Sequence, residues 1–188
     1  MNGSASWLAR LPGGQRVRQF LRAVGAKLTP ADRAYVKAIL PPCALPLFYA
    51  MHPADCSHVL HVCRTAKEMA AAEHLPKEQE AFLLRCALLH YAGRVKGDLD
   101  IMGKVFAVLM MHYLPSISER MVRPDAHHIW QKPGHALYVY RHHPAIGAAK
   151  LRAIGLMAEA AVIEQHHMPH SLADPPVLRI LKLADEQN

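Results

Sequence analysis

Apolar residues recur along this chain at intervals of three and four, not two. Val17, Phe20, Leu21 and Val24 form one stripe within Gln15–Lys27, and Val177, Ile180, Leu181 and Ala184 form another within Pro175–Glu186. That period places side chains on one face of an α-helix. Alternating apolar and polar runs are weak, and no Asn-Gly or Asp-Gly pair stands between two candidate strands. The pattern predicts an all-α chain.

Proline, glycine and capping residues divide it into helices. Thr29-Pro30-Ala31-Asp32 offers a cap, a proline at the first helical position and an acid in the first turn. Pro41-Pro42 stops that helix, and a short segment spans Leu45 to Met51. Pro53-Ala54-Asp55 opens a longer helix to about Glu73; Pro76 starts one that runs into His90 and ends at Gly93. Gly97-Asp98 begins the next, through Tyr113. Ser116-Ile117-Ser118-Glu119 has the form of a capping box. Pro144 is expected to break regularity and begin a helix, and Pro175 to open the last one. The expected organisation is a single-domain helical fold, with residues 1–52 a helical segment packed on a core formed by 53–188.

The chain has 188 residues, 52% of them hydrophobic, enough for a real core. Its formal charge of +7 draws on Arg10, Arg16, Arg18, Arg22 and Lys27. A basic surface suits phosphate-bearing partners, but no zinc finger or interleaved aromatic platform points to specific nucleic-acid binding. The most apolar run, Val105 to Met111, is too short to cross a membrane. The first residues lack the basic-then-apolar order of a secretory signal, so a cytoplasmic protein is expected. Cys43, Cys56, Cys63 and Cys86 form no CxxC pair and are expected as buried, reduced thiols.

Fourteen histidines change the picture. His90 ends the apolar run Ala87-Leu88-Leu89; alone, it reads more readily as a core histidine than as a ligand. His58 and His61 lie three apart and share a helix face, where surface positions are equally open to them. His142 and His143 stand just before Pro144, and His166-His167 close an apolar helix. Asp185 sits on the apolar stripe of the last helix, an expensive place for a carboxylate unless it is paired or metal-bound. Several helices that each bring a histidine or an acid beside apolar residues form a pattern. Imidazoles with a carboxylate suit iron, manganese, nickel or zinc.

The blocks "HVLHVCRTA" from His58, "ALLHYAGR" containing His90, "HHPAIGA" containing His143, "VIEQHH" ending at His166-His167 and "LKLADE" containing Asp185 resemble, in order and spacing, the HD-domain superfamily of metal-dependent phosphohydrolases. The resemblance is closest to small stand-alone bacterial proteins of the HDIG type, and it runs from Asp55 to Asn188. It implies an HD-domain-like helical fold. It implies that His58, His90 and Asp185 are metal ligands and that His143, His166 and His167 serve a second metal. His61 and His142 have no ligand role in that pattern. "MPHSLADPP", after His167, lacks the Gly-Tyr-Pro element of the superfamily's cyclic-dinucleotide phosphodiesterases, so that substrate is not assigned.

Tyr91 stands where the motif has an aspartate that often bridges two metals. Bridging anions hold paired divalent ions together, so the substitution predicts one divalent ion rather than two. Arg94 stands where the motif has lysine and, with Lys96, is expected to steady a phosphate. The resulting expectation is hydrolysis of a phosphate ester or anhydride, on a small phosphorylated molecule or a nucleotide, through a metal-activated water. The alternatives are a catalytically inactive domain that binds a nucleotide or protein partner, and then an iron oxygenase of the same fold.

Overall fold

The computed structural model describes residues 28–97, 101–125 and 131–188. The predicted helix Gln15–Lys27, the basic residues clustered around it and Asp98 lie outside the described residues. Those that are described form an all-α fold with no strand among them. Its helices are α1 (Pro30–Ile39), α2 (Leu45–Ala50), α3 (Pro53–Ala72), α4 (Lys77–Leu89), α5 (Ile101–Tyr113), α6 (Pro115–Met121), α7 (Lys132–Ala153), α8 (Met157–Gln165) and α9 (Pro176–Gln187), with a 3₁₀ turn at Pro42–Ala44 before α2. None of the described helices is long and apolar enough to cross a membrane.

Helix starts follow the sequence closely where a proline sets them. Thr29 caps α1 through a hydrogen bond from the Asp32 amide, and the Asp32 carboxylate accepts from the Thr29 amide in return. The expected capping box at Ser116 does not form. Pro115 takes the first helical position of α6, Leu114 is the cap, and no side chain caps that end. Ser118 instead donates its hydroxyl to the Pro115 carbonyl at 2.7 Å.

Pro144 is the larger departure. It lies inside α7, a 22-residue helix that continues through it. A proline within a helix removes one N–H and leaves the carbonyl four residues earlier without its backbone donor. Here that carbonyl belongs to Tyr140, and the His143 Nδ1–H donates to it at 2.8 Å. A side chain thus replaces the missing backbone bond, and the replacement orients a histidine.

One continuous core joins α1 to α4 with α7, α8 and α9. Val36, Phe48, Val59, Val62, Leu83, Leu88, Leu89, Leu151, Ile163, Ile180 and Leu181 are buried in it. Each such side chain contributes roughly 1.5–3 kcal/mol by leaving water. α3 packs on α4, where the Cys63 thiol donates to the Leu84 carbonyl at 3.8 Å, while the Cys56 thiol faces the Phe48 and Met51 carbonyls. α9 lies across α3 and α4, and α8 packs against α7 and α4. The C-terminal ends of α4 and α8 therefore face the middle of α7 and the last turn of α9. Three of the four cysteines are buried free thiols; Cys43 is exposed, because it lies in the 3₁₀ turn rather than on a packed helix face.

Candidate metal centre

His90 is the C-cap residue of α4, and His166 is the C-cap residue of α8. The last carbonyls of a helix have no backbone partner. His90 Nδ1–H donates to one of them, Ala87 O, at 2.7 Å, and His166 Nδ1–H donates to Ile163 O at 2.6 Å. His143 uses the carbonyl freed by Pro144 in the same way. All three rings are thus fixed by a bond to the carbonyl three residues earlier. That bond sets the tautomer in which Nε2 carries a lone pair. The Nε2 atoms of His90 and His166 are buried without a hydrogen-bond partner.

The six expected residues stand in two groups of three: His58, His90 and Asp185, and His143, His166 and His167. In each group, one ligating atom per residue lies within 4.8 Å of the others. In the first group, Asp185 Oδ1 is 2.9 Å from His58 Nε2 and 3.4 Å from His90 Nε2. In the second, His143 Nε2 is 3.2 Å from His167 Nε2. Ligand atoms about 2.1 Å from one ion stand about 3.0 Å apart at an octahedral angle and about 3.4 Å apart at a tetrahedral one. The separations match those of atoms that share an ion. The groups adjoin each other through His90 and His166, whose ring centres are 5.3 Å apart. His90 is fully buried, whereas the side chains of His58 and Asp185 are 20% and 15% exposed, so solvent reaches the first group from their side.

Electrostatics divides the groups. Burial pushes Asp185 up, but His58 and His90 together outweigh it and hold the carboxyl well below its ordinary range. Burial lowers His58 despite the nearby Asp185. Burial, then the positive charge of Arg94, holds His143 well below the ordinary histidine value, and burial does the same to His166. The His58, His143 and His166 rings are therefore neutral at pH 7, the form that binds metal.

Tyr91 points into the cluster. Its ring stacks on His58 with centres 4.8 Å apart and meets His90 at 4.3 Å and His143 at 5.2 Å. Burial pushes its phenol above the ordinary range, so it stays protonated. Arg94 is turned inward: it is 5% exposed, with its guanidinium 3.6 Å above the centre of the Tyr91 ring. Lys96 is exposed, and its amide donates to Ala50 O at 2.9 Å. His61 is exposed and bonds its own helix at Ser57 O, and His142 packs against Tyr138; neither joins the cluster.

Asp55 was not read from the sequence as part of this region. It is 4% exposed, and its Oδ1 lies 3.9 Å from the Arg94 guanidinium. Its position three residues before His58, on the same face of α3, is the signal that could have found it. Comparison with family models, with curated proteins and with solved structures finds no match.

Proposed function

We propose that this protein is an HD-domain-like, metal-dependent phosphohydrolase that holds one divalent transition ion at His58, His90 and Asp185. The observation that carries the proposal is the gap between His90 and Asp185. The His90 Nδ1–H is committed to Ala87 O, and its buried Nε2, which has no hydrogen-bond partner, faces a carboxylate oxygen 3.4 Å away. A ring nitrogen and a carboxylate oxygen set face to face in this way suit a cation between them. Two histidines and one carboxylate suit manganese, iron, nickel or zinc and leave positions open for water.

When bound, such an ion supplies Lewis acidity and makes a water nucleophilic near neutral pH. The chain's own residues do the rest. Asp185 supplies the negative charge that holds the ion, and the Ala87 carbonyl fixes the His90 ring. The partial exposure of His58 and Asp185 admits substrate from one side. Lys96, exposed beyond the turn that carries Arg94, is the cation open to an incoming phosphate. The substrate class is a phosphate ester or anhydride, nucleotides included.

A second reading is a domain of the same kind that binds a nucleotide or protein without turnover. The Tyr91 ring favours it, because it fills space beside His58, His90 and His143 that a substrate would need.

Metal analysis of the purified protein, with a panel of phosphoesters assayed in manganese, iron, nickel or zinc, tests both. The expected result is bound metal and turnover on at least one ester, both lost in His90→Ala. Ligand-induced thermal stabilisation with no hydrolysis in any metal selects the second reading. A protein that binds none of the four metals overturns both as metal-centred proposals.

A further inference from the structure

We propose that Arg94 is this protein's own second cation. Its guanidinium, buried beside His143, closes the His143–His166–His167 group to metal and leaves His58, His90 and Asp185 as the single ion site. The inference rests on the metal-centre reading of that first group.

The guanidinium is held from several directions. One terminal nitrogen is 3.3 Å from Nε2 and 3.5 Å from Nδ1 of His143, so it lies across the nitrogen-bearing side of that ring. The other is 3.9 Å from Asp55 Oδ1. The Tyr91 ring supports the flat face at 3.6 Å, and Tyr140 stands 5.5 Å away. An aromatic face is a favourable seat for a guanidinium removed from water. An arginine cannot shed its proton in a protein, so the positive charge there is permanent.

A divalent ion in the three-histidine group meets that charge directly. An ion about 2 Å from His143 Nε2 stands no more than about 5 Å from the guanidinium nitrogen. Its ligands would be three neutral imidazoles with no carboxylate among them, so no ligand of the ion offsets the repulsion, and Asp55 faces the guanidinium's other terminal nitrogen. The first group differs on this point, because Asp185 brings a negative charge into direct reach of the ion. Paired metal sites depend on bridging anions to hold two cations close. Here Tyr91 brings no anion and instead seats a cation. Tyr91 and Arg94 thus act as one unit: the ring takes the bridging position, and the guanidinium takes the charge of the second ion.

The experiment is metal stoichiometry by equilibrium dialysis against manganese or zinc, read by elemental analysis. The wild type is expected to hold about one ion per chain and Arg94→Met about two, the extra ion disappearing again in Arg94→Met combined with His166→Ala. Two ions in the wild type, or no gain in Arg94→Met, overturns the inference. Metal absent from both proteins overturns the metal-centre reading itself, a different result. Should Arg94→Met fail to fold, His167→Ala serves in the wild-type background, because His167 is exposed. The inference expects its bound ion to be unchanged, and loss of that ion would show the three-histidine group loaded despite Arg94.

Discussion

His58 and Asp185 are 127 positions apart in the chain, yet His58 Nε2 lies 2.9 Å from Asp185 Oδ1. The contact ties α3 to α9 and places a mostly buried carboxylate against an imidazole. It also lets a change in metal or pH at the site act on the packing of two core helices.

Acid sensitivity follows from the buried rings. His58, His143 and His166 all have pKa values below the ordinary histidine value, chiefly because burial disfavours their charged forms. Above about pH 6.5 these histidines are neutral in both the folded and the unfolded chain and contribute no slope. Below it the unfolded chain takes up protons that the folded one refuses, so stability falls as pH falls. Asp185 adds loss of the same sign at lower pH, below the ordinary carboxylate range, as its depressed value is approached. Urea unfolding of the metal-free protein should show stability declining from pH 7 toward pH 5. A flat profile over that window would contradict the buried neutral rings.

Gly93 sets how close the turn after α4 comes to α7. A Cβ on Gly93 would stand 2.0 Å from the His143 carbonyl oxygen and 2.9 Å from the Gly147 amide, both backbone atoms with little room to yield. Gly93→Ala should cost about 2–3 kcal/mol of stability. Because the same turn carries Tyr91 and Arg94, it should also weaken metal binding. Equilibrium unfolding and metal titration of the variant check both effects, and unchanged stability would mean that the contact is looser than the geometry requires.

Arg85 and Glu159 join the two helices whose ends present His90 and His166. The Arg85 Nε–H donates to Glu159 Oε1 at 2.8 Å, and Glu159 is 5% exposed. Removing one partner strands the other charge in the interior. Arg85→Met should therefore cost about 3 kcal/mol, and the double variant Arg85→Met, Glu159→Leu should recover much of it. A double variant as unstable as the single one would show that helix packing, not the stranded charge, carries the loss.

Only Asp185 stands out on local grounds, as a carboxylate on an apolar stripe; His58 and His90 read alone as surface or core histidines. His58, His90, His143, His166 and His167 were singled out by the order and spacing of five blocks, through their resemblance to the HD-domain superfamily, and the structure brings all six residues into two adjoining groups. The helix starts at Pro30 and Pro53 were legible because proline restricts its own backbone wherever it occurs, and the last helix starts at Pro176, one residue after the expected Pro175, which is its cap. What escaped depends on contacts between distant segments. Pro144 reads locally as a break, yet α7 continues because the His143 ring bonds the freed Tyr140 carbonyl. Arg94 reads as a free cation until the Tyr91 face, Asp55 and His143 are seen around it. Asp55 reads as a first-turn acid, a role that needs no burial, and Ser116 falls inside α6 because the neighbouring Pro115 takes the first helical position and leaves Leu114 as the cap.

Tyr91→Asp tests the altered motif position. The Tyr91 side chain faces His58, His90 and His143, so an introduced carboxylate would enter the cluster rather than solvent. Two effects oppose each other. Loss of a packed ring costs about 3 kcal/mol of stability in the metal-free protein. The gained anion stands beside both histidine groups and removes the aromatic seat of Arg94, which then pairs with the new charge. That pairing offsets the repulsion at His143 and gives neighbouring ions an acid to share. The metal-free variant should melt below the wild type, bind metal at least about tenfold more tightly, and hydrolyse phosphoesters faster under matched metal loading. The gain should vanish when His58 or Asp185 is also removed, because those residues share the ion. Thermal melts with and without manganese, metal titration and initial rates give the three readings. A variant that melts lower but gains neither metal affinity nor rate would show that Tyr91 serves as packing and that its position holds no latent ligand.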